Sequence, residues 1–211
     1  MDPKVKILTA AGRVFARHGY RHTSMSMVAD EAALSRQAVY HHFASKETLF
    51  SALVESLQER AHEEVAAALD AMSGASLPER LYRALIVQHE VLVGDLAGSP
   101  YAAELMDESA RYCSDIVSAH MQRFQKFLEG VVAQAVAGGN AAQQQGMNQK
   151  QFVSMLMMAA KGVKVSHVQS SPRVHAQALE QMVMTICRGA VEGRQRVGTI
   201  SVKGVVAGRA R

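Results

Sequence analysis

The chain has 211 residues, of which 48% are hydrophobic and only 5% are aromatic, and its formal net charge is +4. No apolar run approaches the roughly 18 residues required to cross a bilayer, and the N-terminal sequence MDPKVKIL lacks a signal-peptide pattern, so we expect a cytoplasmic protein. A core without tryptophan must be built mainly from Ala, Val, Leu and Met, and this composition favours packed helices over sheets.

The first predicted helix runs from about Pro3 to His18. Glycine commonly follows the last helical turn because it adopts a left-handed backbone without steric cost, and Gly19 stands at that place. One stripe of the helix is apolar and is expected to face a core; it comprises Ile7, Leu8, Ala11, Val14 and Phe15.

Residues 23–47 predict two short helices joined by a tight turn. Thr23 or Ser24 is the expected N-cap of the first helix, and Ser35 is the expected N-cap of the second. If the turn requires a left-handed backbone at Ala33, the alanine side chain adds about 1 kcal/mol of strain.

The second short helix is predicted to stand at the surface, because only Val39 and Phe43 need to face a core. Its other side chains are donors, acceptors or small groups, which a DNA major groove can use. For each of these side chains taken alone, a solvated surface position remains the alternative interpretation.

The rest of the chain is predicted to be helical, since no stretch alternates convincingly enough to require a strand. Ser45 is the expected cap of the first long helix, and Pro100 and Pro172 each follow a serine, a pattern typical of helix starts. The predicted helices span about 45–71, 78–96, 100–112, 114–137, 149–168 and 172–192.

The N-terminal fifty residues resemble the DNA-binding domain of the TetR/AcrR family of transcriptional regulators. One departure is Ala33, where such proteins usually carry glycine in the turn between the two short helices. The residues that carry the resemblance are Ile7-Leu8, Ala10-Ala11, Phe15, Gly19-Tyr20, Thr23-Ser24-Met25, Val28-Ala29, Ser35, Tyr40, His42-Phe43, Ser45-Lys46-Glu47 and Leu49-Phe50.

The resemblance implies an all-α fold of about nine helices. It implies a three-helix helix-turn-helix domain over residues 1–48, a helical effector-binding and dimerisation domain over 49–192, and a basic, poorly ordered tail over 193–211. The implied function is a ligand-responsive transcriptional regulator, more often a repressor, which a small molecule releases from a palindromic operator. No enzymatic activity, cofactor or metal is expected.

The resemblance also implies the DNA contacts of the helix that follows Ser35, which would be the recognition helix. Neighbouring residues of the first short helix and the start of the next long helix would hold phosphates. The expected DNA-binding residues are Thr23, Ser24, Met25, Ser35, Arg36, Gln37, Ala38, Tyr40, His41 and Lys46.

In the same family the middle helices enclose an effector pocket, and a few polar groups among apolar side chains are typical of small-molecule sites. The partner would be an unidentified, lipophilic effector, although ordinary packing or solvation explains any single one of these residues equally well. The expected pocket residues are His89, Leu92, Met106, Arg111, Tyr112, Cys113, His120, Met121, Phe124 and Met158.

The last two predicted helices each carry a wide apolar face, and in the family such helices pair with their counterparts in a second subunit. The alternative is that both faces bury against their own chain. Two subunits favour DNA recognition, because one short helix buries too little surface for specific binding. The expected homodimer contacts are Phe152, Leu156, Ala160, Val163, Leu179, Met182, Val183 and Ile186.

The charges are unevenly distributed along the chain. Residues 1–50 carry seven Lys/Arg and four Asp/Glu, residues 188–211 carry six and one, and the intervening segment carries ten and fourteen. Basic ends around an acidic middle are compatible with a DNA-reading end on a body that does not touch DNA. The same imbalance also occurs in proteins that bind no nucleic acid.

Two other function classes stay open. Glu59-x-x-His62 has the spacing of a di-iron carboxylate enzyme, but the sequence lacks the second copy that such a centre requires. A helical binding protein without DNA activity is the other alternative. The two cysteines lack CxxC spacing and are expected to be free and inert, while Arg111 beside Cys113 leaves a redox-sensing role open.

Overall fold

The computed structural model describes residues 2–96, 98–138, 148–166 and 171–192. Over these ranges it contains nine α-helices, one short 3-10 helix (Gly94–Leu96) and no strand, which confirms the predicted all-α fold. The predicted tail over 193–211 lies outside the described residues. The helices are α1 (Pro3–His22), α2 (Met25–Glu31), α3 (Arg36–His42), α4 (Lys46–Asp70), α5 (Leu77–Val93), α6 (Ala102–Tyr112), α7 (Ser114–Ala137), α8 (Gln149–Ser166) and α9 (Pro172–Glu192).

Side-chain caps set where the N-terminal helices begin. The Asp2 carboxylate accepts from Lys4 N–H, and the hydroxyls of Ser24, Ser35 and Ser45 accept from backbone N–H groups in the first turns of α2, α3 and α4. Such a cap satisfies an N–H group that has no partner within the helix. Of the two candidate caps of α2, the structure therefore uses Ser24 and not Thr23.

The first helix does not stop at Gly19 as predicted. Gly19 has φ 73° and ψ 170°, which produces a kink, and a further turn continues to His22. A side chain at this position would also collide with the Tyr101 ring, because an added Cβ would lie only 2.7 Å from it. Both the backbone and the close approach of residue 101 therefore require glycine.

The turn between α2 and α3 has the left-handed backbone that the sequence raised as a condition. Ala33 has φ 48° and is the one non-glycine residue with positive φ among the described residues. The turn is closed by Ala33 N–H on the Asp30 carbonyl and by Leu34 N–H on the Ala29 carbonyl, each at 3.0 Å. The alanine therefore carries about 1 kcal/mol of strain, and the hydrogen-bonded turn holds it in place.

Two hydrophobic clusters lie at opposite ends of α4. The first cluster packs α1, α2 and α3 on the start of α4, and the rings of Phe15, Tyr20 and Phe50 meet at its centre with centroids 5.0–5.8 Å apart. The second cluster packs the remainder of α4 against α5, α7, α8 and α9. Since α4 contributes to both clusters, it is the rigid link between the N-terminal helices and the body.

Candidate nucleic-acid interface

The helix α3 presents one buried edge and one broad solvent-facing surface. Val39 is fully buried and Phe43 is 5% exposed, so these two side chains anchor α3 on the N-terminal cluster. The predicted recognition residues on the opposite surface are exposed, apart from the half-buried Ala38; the exposed ones are Ser35, Arg36, Gln37, Tyr40 and His41. A polar surface of this kind on a short, capped helix is available to a nucleic acid.

Arg36 and Tyr40 form a pair on this surface, four residues apart. The Arg36 guanidinium carbon lies 5.3 Å from the centroid of the Tyr40 ring, and the guanidinium Nη2 lies 3.5 Å from the phenol oxygen. Tyr40 is 40% exposed despite this contact. Because a cation over an aromatic ring is held without losing its outward donors, the pair presents ordered hydrogen-bond donors to an incoming ligand.

Two predicted DNA-contact residues are inside the protein. Thr23 is 4% exposed and its hydroxyl donates to the Gly19 carbonyl at 2.6 Å, while Met25 is 6% exposed in the N-terminal cluster. Ser24, between them, is exposed. The Thr23 and Met25 side chains therefore support the α1–α2 corner and do not form part of the solvent-facing surface.

Lys46 is predicted to hold a phosphate, but its ammonium group is already engaged. The Nζ atom donates to the carbonyls of Tyr20 at 2.8 Å and Thr23 at 3.1 Å, and it lies 4.4 Å from the Tyr20 ring centroid. These carbonyls belong to the C-terminal end of α1, where a cation is favoured by the helix dipole. Lys46 therefore ties the end of α1 to the start of α4.

A Lys46→Met variant separates the two roles of this side chain. Since the substitution removes two charge-assisted hydrogen bonds and keeps the aliphatic stem, we expect the free energy of unfolding to fall by about 1–3 kcal/mol in urea titrations. The slope of log affinity against log salt should stay unchanged for a duplex the protein binds. Loss of a phosphate contact would instead reduce that slope by about 0.9. Lys126→Met, at an exposed position of α7, is the matched control.

The residues before and within α6 hold the C-terminal end of α1, which the sequence interpretation did not foresee. Glu104 Oε1 accepts from Arg21 N–H at 2.8 Å, Glu108 Oε1 lies 3.5 Å from Arg21 Nε, and the Ser99 hydroxyl donates to the Ala16 carbonyl at 2.6 Å. The partners are 83 or more residues apart in sequence, so no local pattern signals them. The recognition helix is thereby fixed relative to the body.

The predicted effector-pocket residues do not converge on one cavity. Tyr112 stacks on Tyr20 at 5.4 Å and Cys113 packs in the N-terminal cluster, whereas Phe124 lies in the body cluster. Met158 is 66% exposed on α8. The set therefore mixes residues of two cores and of the surface.

The open question about cysteine reactivity is answered by burial. Cys113 and Cys187 are both free and buried. Burial raises the pKa of both thiols, that of Cys187 to about 11, and only the Ser51 hydroxyl beside Cys113 acts in the opposite direction. Since the thiolate is the reactive form, the arrangement does not support redox sensing by Cys113.

Half of the predicted dimer contacts are inside their own chain. Phe152, Leu156, Leu179 and Val183 are at most 5% exposed in the body cluster, so no second subunit can reach them in this fold. Ala160, Val163, Met182 and Ile186 are half-buried. The outward surface of the two helices, here called the α8–α9 face, comprises Met158, Lys161 and Gly162 of α8 and Gln177, Gln181, Thr185 and Arg188 of α9.

No helix among the described residues is both long and apolar enough to span a membrane. Within the same residues, no group of three or more His, Cys, Asp or Glu side chains is positioned to hold a metal ion. Glu59, half of the di-iron spacing, instead accepts from Arg123 Nη1 at 2.9 and 2.8 Å.

Known proteins resemble this chain in the N-terminal helices and in overall fold. The profile of the family described as "Bacterial regulatory proteins, tetR family" matches residues 7–53. The chain is 40% identical over 58 residues to the HTH-type transcriptional regulator UidR of Escherichia coli K12, a match covering 28% of this chain and 30% of UidR. It is 41% identical over 61 residues to the HTH-type transcriptional repressor AcnR of Corynebacterium diphtheriae, covering 29% and 32%. The matches therefore span about a third of these relatives.

The whole fold is also shared with solved structures. The crystal structure of the transcriptional regulator FadR from Bacillus subtilis, in complex with stearoyl-CoA, superposes with a TM-score of 0.60. The two chains are 18% identical, and the superposition covers 90% of this chain and 99% of that one. At this identity the likeness concerns the fold, and it extends over the N-terminal helices and the body together.

Proposed function

We propose that the chain, a member of the TetR family of bacterial regulatory proteins, is a cytoplasmic transcriptional regulator that binds a palindromic DNA operator as a homodimer. The observation that carries the proposal is α3, a capped helix with its apolar side chains buried and the Arg36–Tyr40 pair facing solvent. We assign DNA contact to the exposed residues of α3 and to Ser24, and a positioning role to Thr23, Met25 and Lys46.

A homodimer supplies what one copy of α3 lacks. The helix is only seven residues long, and specific DNA sites are read by two such helices in successive major grooves, about 34–36 Å apart. We assign the dimer contact to the α8–α9 face, which is the solvent-facing surface of the last two helices. Residues 1–48 then form the DNA-binding domain and residues 49–192 the dimerisation and effector-binding domain.

An effector would act by binding one spacing of the two recognition helices better than another. The link from α4 to both clusters and the contacts between α6 and α1 offer the mechanical connection. FadR, which has the same fold, holds stearoyl-CoA, and this supports a lipophilic effector for the present chain. Repression is the favoured sign, since the relative AcnR is a repressor.

We favour this function over an enzyme or a binding protein without DNA activity. The di-iron alternative requires Glu59 as a ligand, and its carboxylate is held by Arg123. A binding protein without DNA activity gives no reason for an arginine and a tyrosine ordered against each other at the tip of the N-terminal helices. We therefore propose a protein without catalytic activity.

Selection of DNA by the full-length protein tests this function. Duplexes with a random centre are incubated with the tagged protein at low salt, and the retained sequences are amplified and read. We expect inverted repeats whose half-sites are centred about 10 base pairs, or a multiple of that distance, apart. Their affinity should fall steeply as salt rises, because phosphate contacts release counterions. Recovery of random sequence only, or of single half-sites, would contradict the proposal.

A further inference from the structure

Two histidine side chains from different helices meet where α4 packs on α7. The imidazole rings of His62 on α4 and His120 on α7 are stacked, with centroids 5.3 Å apart and planes inclined by 27°. The Phe124 ring lies next to the pair, 6.3 Å from His62. His120 is 8% exposed, so the contact is part of the interior of the body.

Each imidazole has one nitrogen that is closed to solvent and has no hydrogen-bond partner, namely His62 Nε2 and His120 Nδ1. A neutral imidazole tolerates this because one ring nitrogen carries no hydrogen. An imidazolium carries hydrogen on both nitrogens, so protonation would create a buried donor without an acceptor, which is strongly unfavourable. The stacked arrangement is therefore built for neutral rings.

The charges around His62 also oppose its cation on balance. Arg123 and His120, both on α7, disfavour a positive charge on His62, while Glu59 on α4 favours it. Glu59 already accepts two hydrogen bonds from Arg123, and its Oε1 atom remains 3.9 Å from His120 Nε2. Burial is the largest cause and lowers the pKa of His62 from its ordinary value.

The position of the pair gives it access to the DNA-binding end. His62 lies sixteen residues after Lys46 on the same helix, which corresponds to about 24 Å along α4. Lys46 holds the end of α1, and the start of α4 packs in the N-terminal cluster. A change in how α4 rests on α7 therefore reaches the helices that carry α3.

We propose that the contact between His62 and His120 is a proton-responsive joint, which acidification opens by protonating His62 and thereby loosening α4 from α7. Its consequence for operator affinity rests on the function proposed above. A histidine with a lowered pKa in the folded state contributes stability that is present above its unfolded pKa, about 6.5. That stability is lost as the pH falls from there towards the folded pKa.

Urea unfolding of the full-length protein at about pH 7.5 and about pH 5.5 tests the joint. The variants are His62→Phe, which keeps a stacked ring and removes the titrating group, and His18→Gln, which removes a histidine of α1 outside the pair. On acidification, we expect the unfolding constant of the wild type and of His18→Gln to rise several-fold more than that of His62→Phe. A second stacked pair, His89 and His175, is present in all three proteins and cancels in the comparison.

Equal pH dependence in all three proteins would overturn the proposal. If His62→Phe fails to fold by circular dichroism, His62→Gln takes its place, since it is also neutral at both pH values. A second arm measures the affinity of each protein for a selected duplex at the two pH values. We expect a larger acid-induced loss in the wild type than in His62→Phe. Absence of DNA binding at neutral pH would refute the proposed function, while the urea arm would still test the joint.

Discussion

Replacing Arg36 and Tyr40 together by alanine should lower affinity for the selected duplex by roughly a thousandfold. A dimer loses four side chains that face the DNA, and about 1 kcal/mol for each phosphate or base contact gives this magnitude. The fold should persist, because both side chains are exposed and the cap of α3 is provided by Ser35. Gel-shift or fluorescence anisotropy titration at constant salt measures the loss, and gel filtration reports whether the dimer remains.

The control for this variant is Arg83→Ala. Arg83 is an exposed residue of α5, and its replacement removes the same charge without altering α3. We expect its affinity for the duplex to remain within about twofold of the wild type, because a distant surface charge is screened at physiological salt. Full DNA binding by Arg36→Ala/Tyr40→Ala would show that another surface of the protein reads the operator.

Introducing glutamate at Met158 and Thr185 should convert the dimer into monomers. These residues lie on the α8–α9 face, and Met158 is the most exposed of the large hydrophobic side chains described. In a two-fold symmetric contact each substitution occurs twice, so four carboxylates would be buried without partners, at several kcal/mol in total. Sedimentation velocity at micromolar concentration should show monomers, and DNA affinity should fall by at least about a hundredfold.

The double variant Met158→Leu/Thr185→Val is the matched control, because it keeps the size and apolar character of the surface. It should remain dimeric and bind DNA normally. Circular dichroism establishes that the glutamate variant is folded, which is expected since both positions are exposed. A glutamate variant that stays dimeric would place the subunit contact on a different surface.

Local rules explain why the sequence predicted the helices well. A serine or aspartate followed by helix-forming residues predicted the caps at Ser35 and Ser45, and each hydroxyl accepts the expected N–H group. The turn at Ala33 was also recognisable, because its left-handed backbone follows from the short distance between two helices. These features depend on atoms within four residues of one another, which the sequence displays directly.

The direction of individual side chains was predicted less well. Thr23, Met25 and Lys46 match the motif by residue type, but the structure engages them in the interior or with the carbonyls at the end of α1. Leu156 and Val183 illustrate the same limit in the body, where the more apolar stripe faces the protein's own core. A hydrophobic pattern shows which side of a helix is buried, but it does not show which partner buries it.

The sequence by itself determined the helical class, the position of each N-terminal helix and the polar surface of α3, because caps and apolar periodicity act over one or two turns. Only the tertiary structure decided that Lys46 holds α1, that residues 99–108 clamp it from 83 or more positions away, and that His62 meets His120. The physical reason is that these contacts join side chains that are distant along the chain. Their formation depends on how whole helices pack, and a helix can present the same residues to several different neighbours.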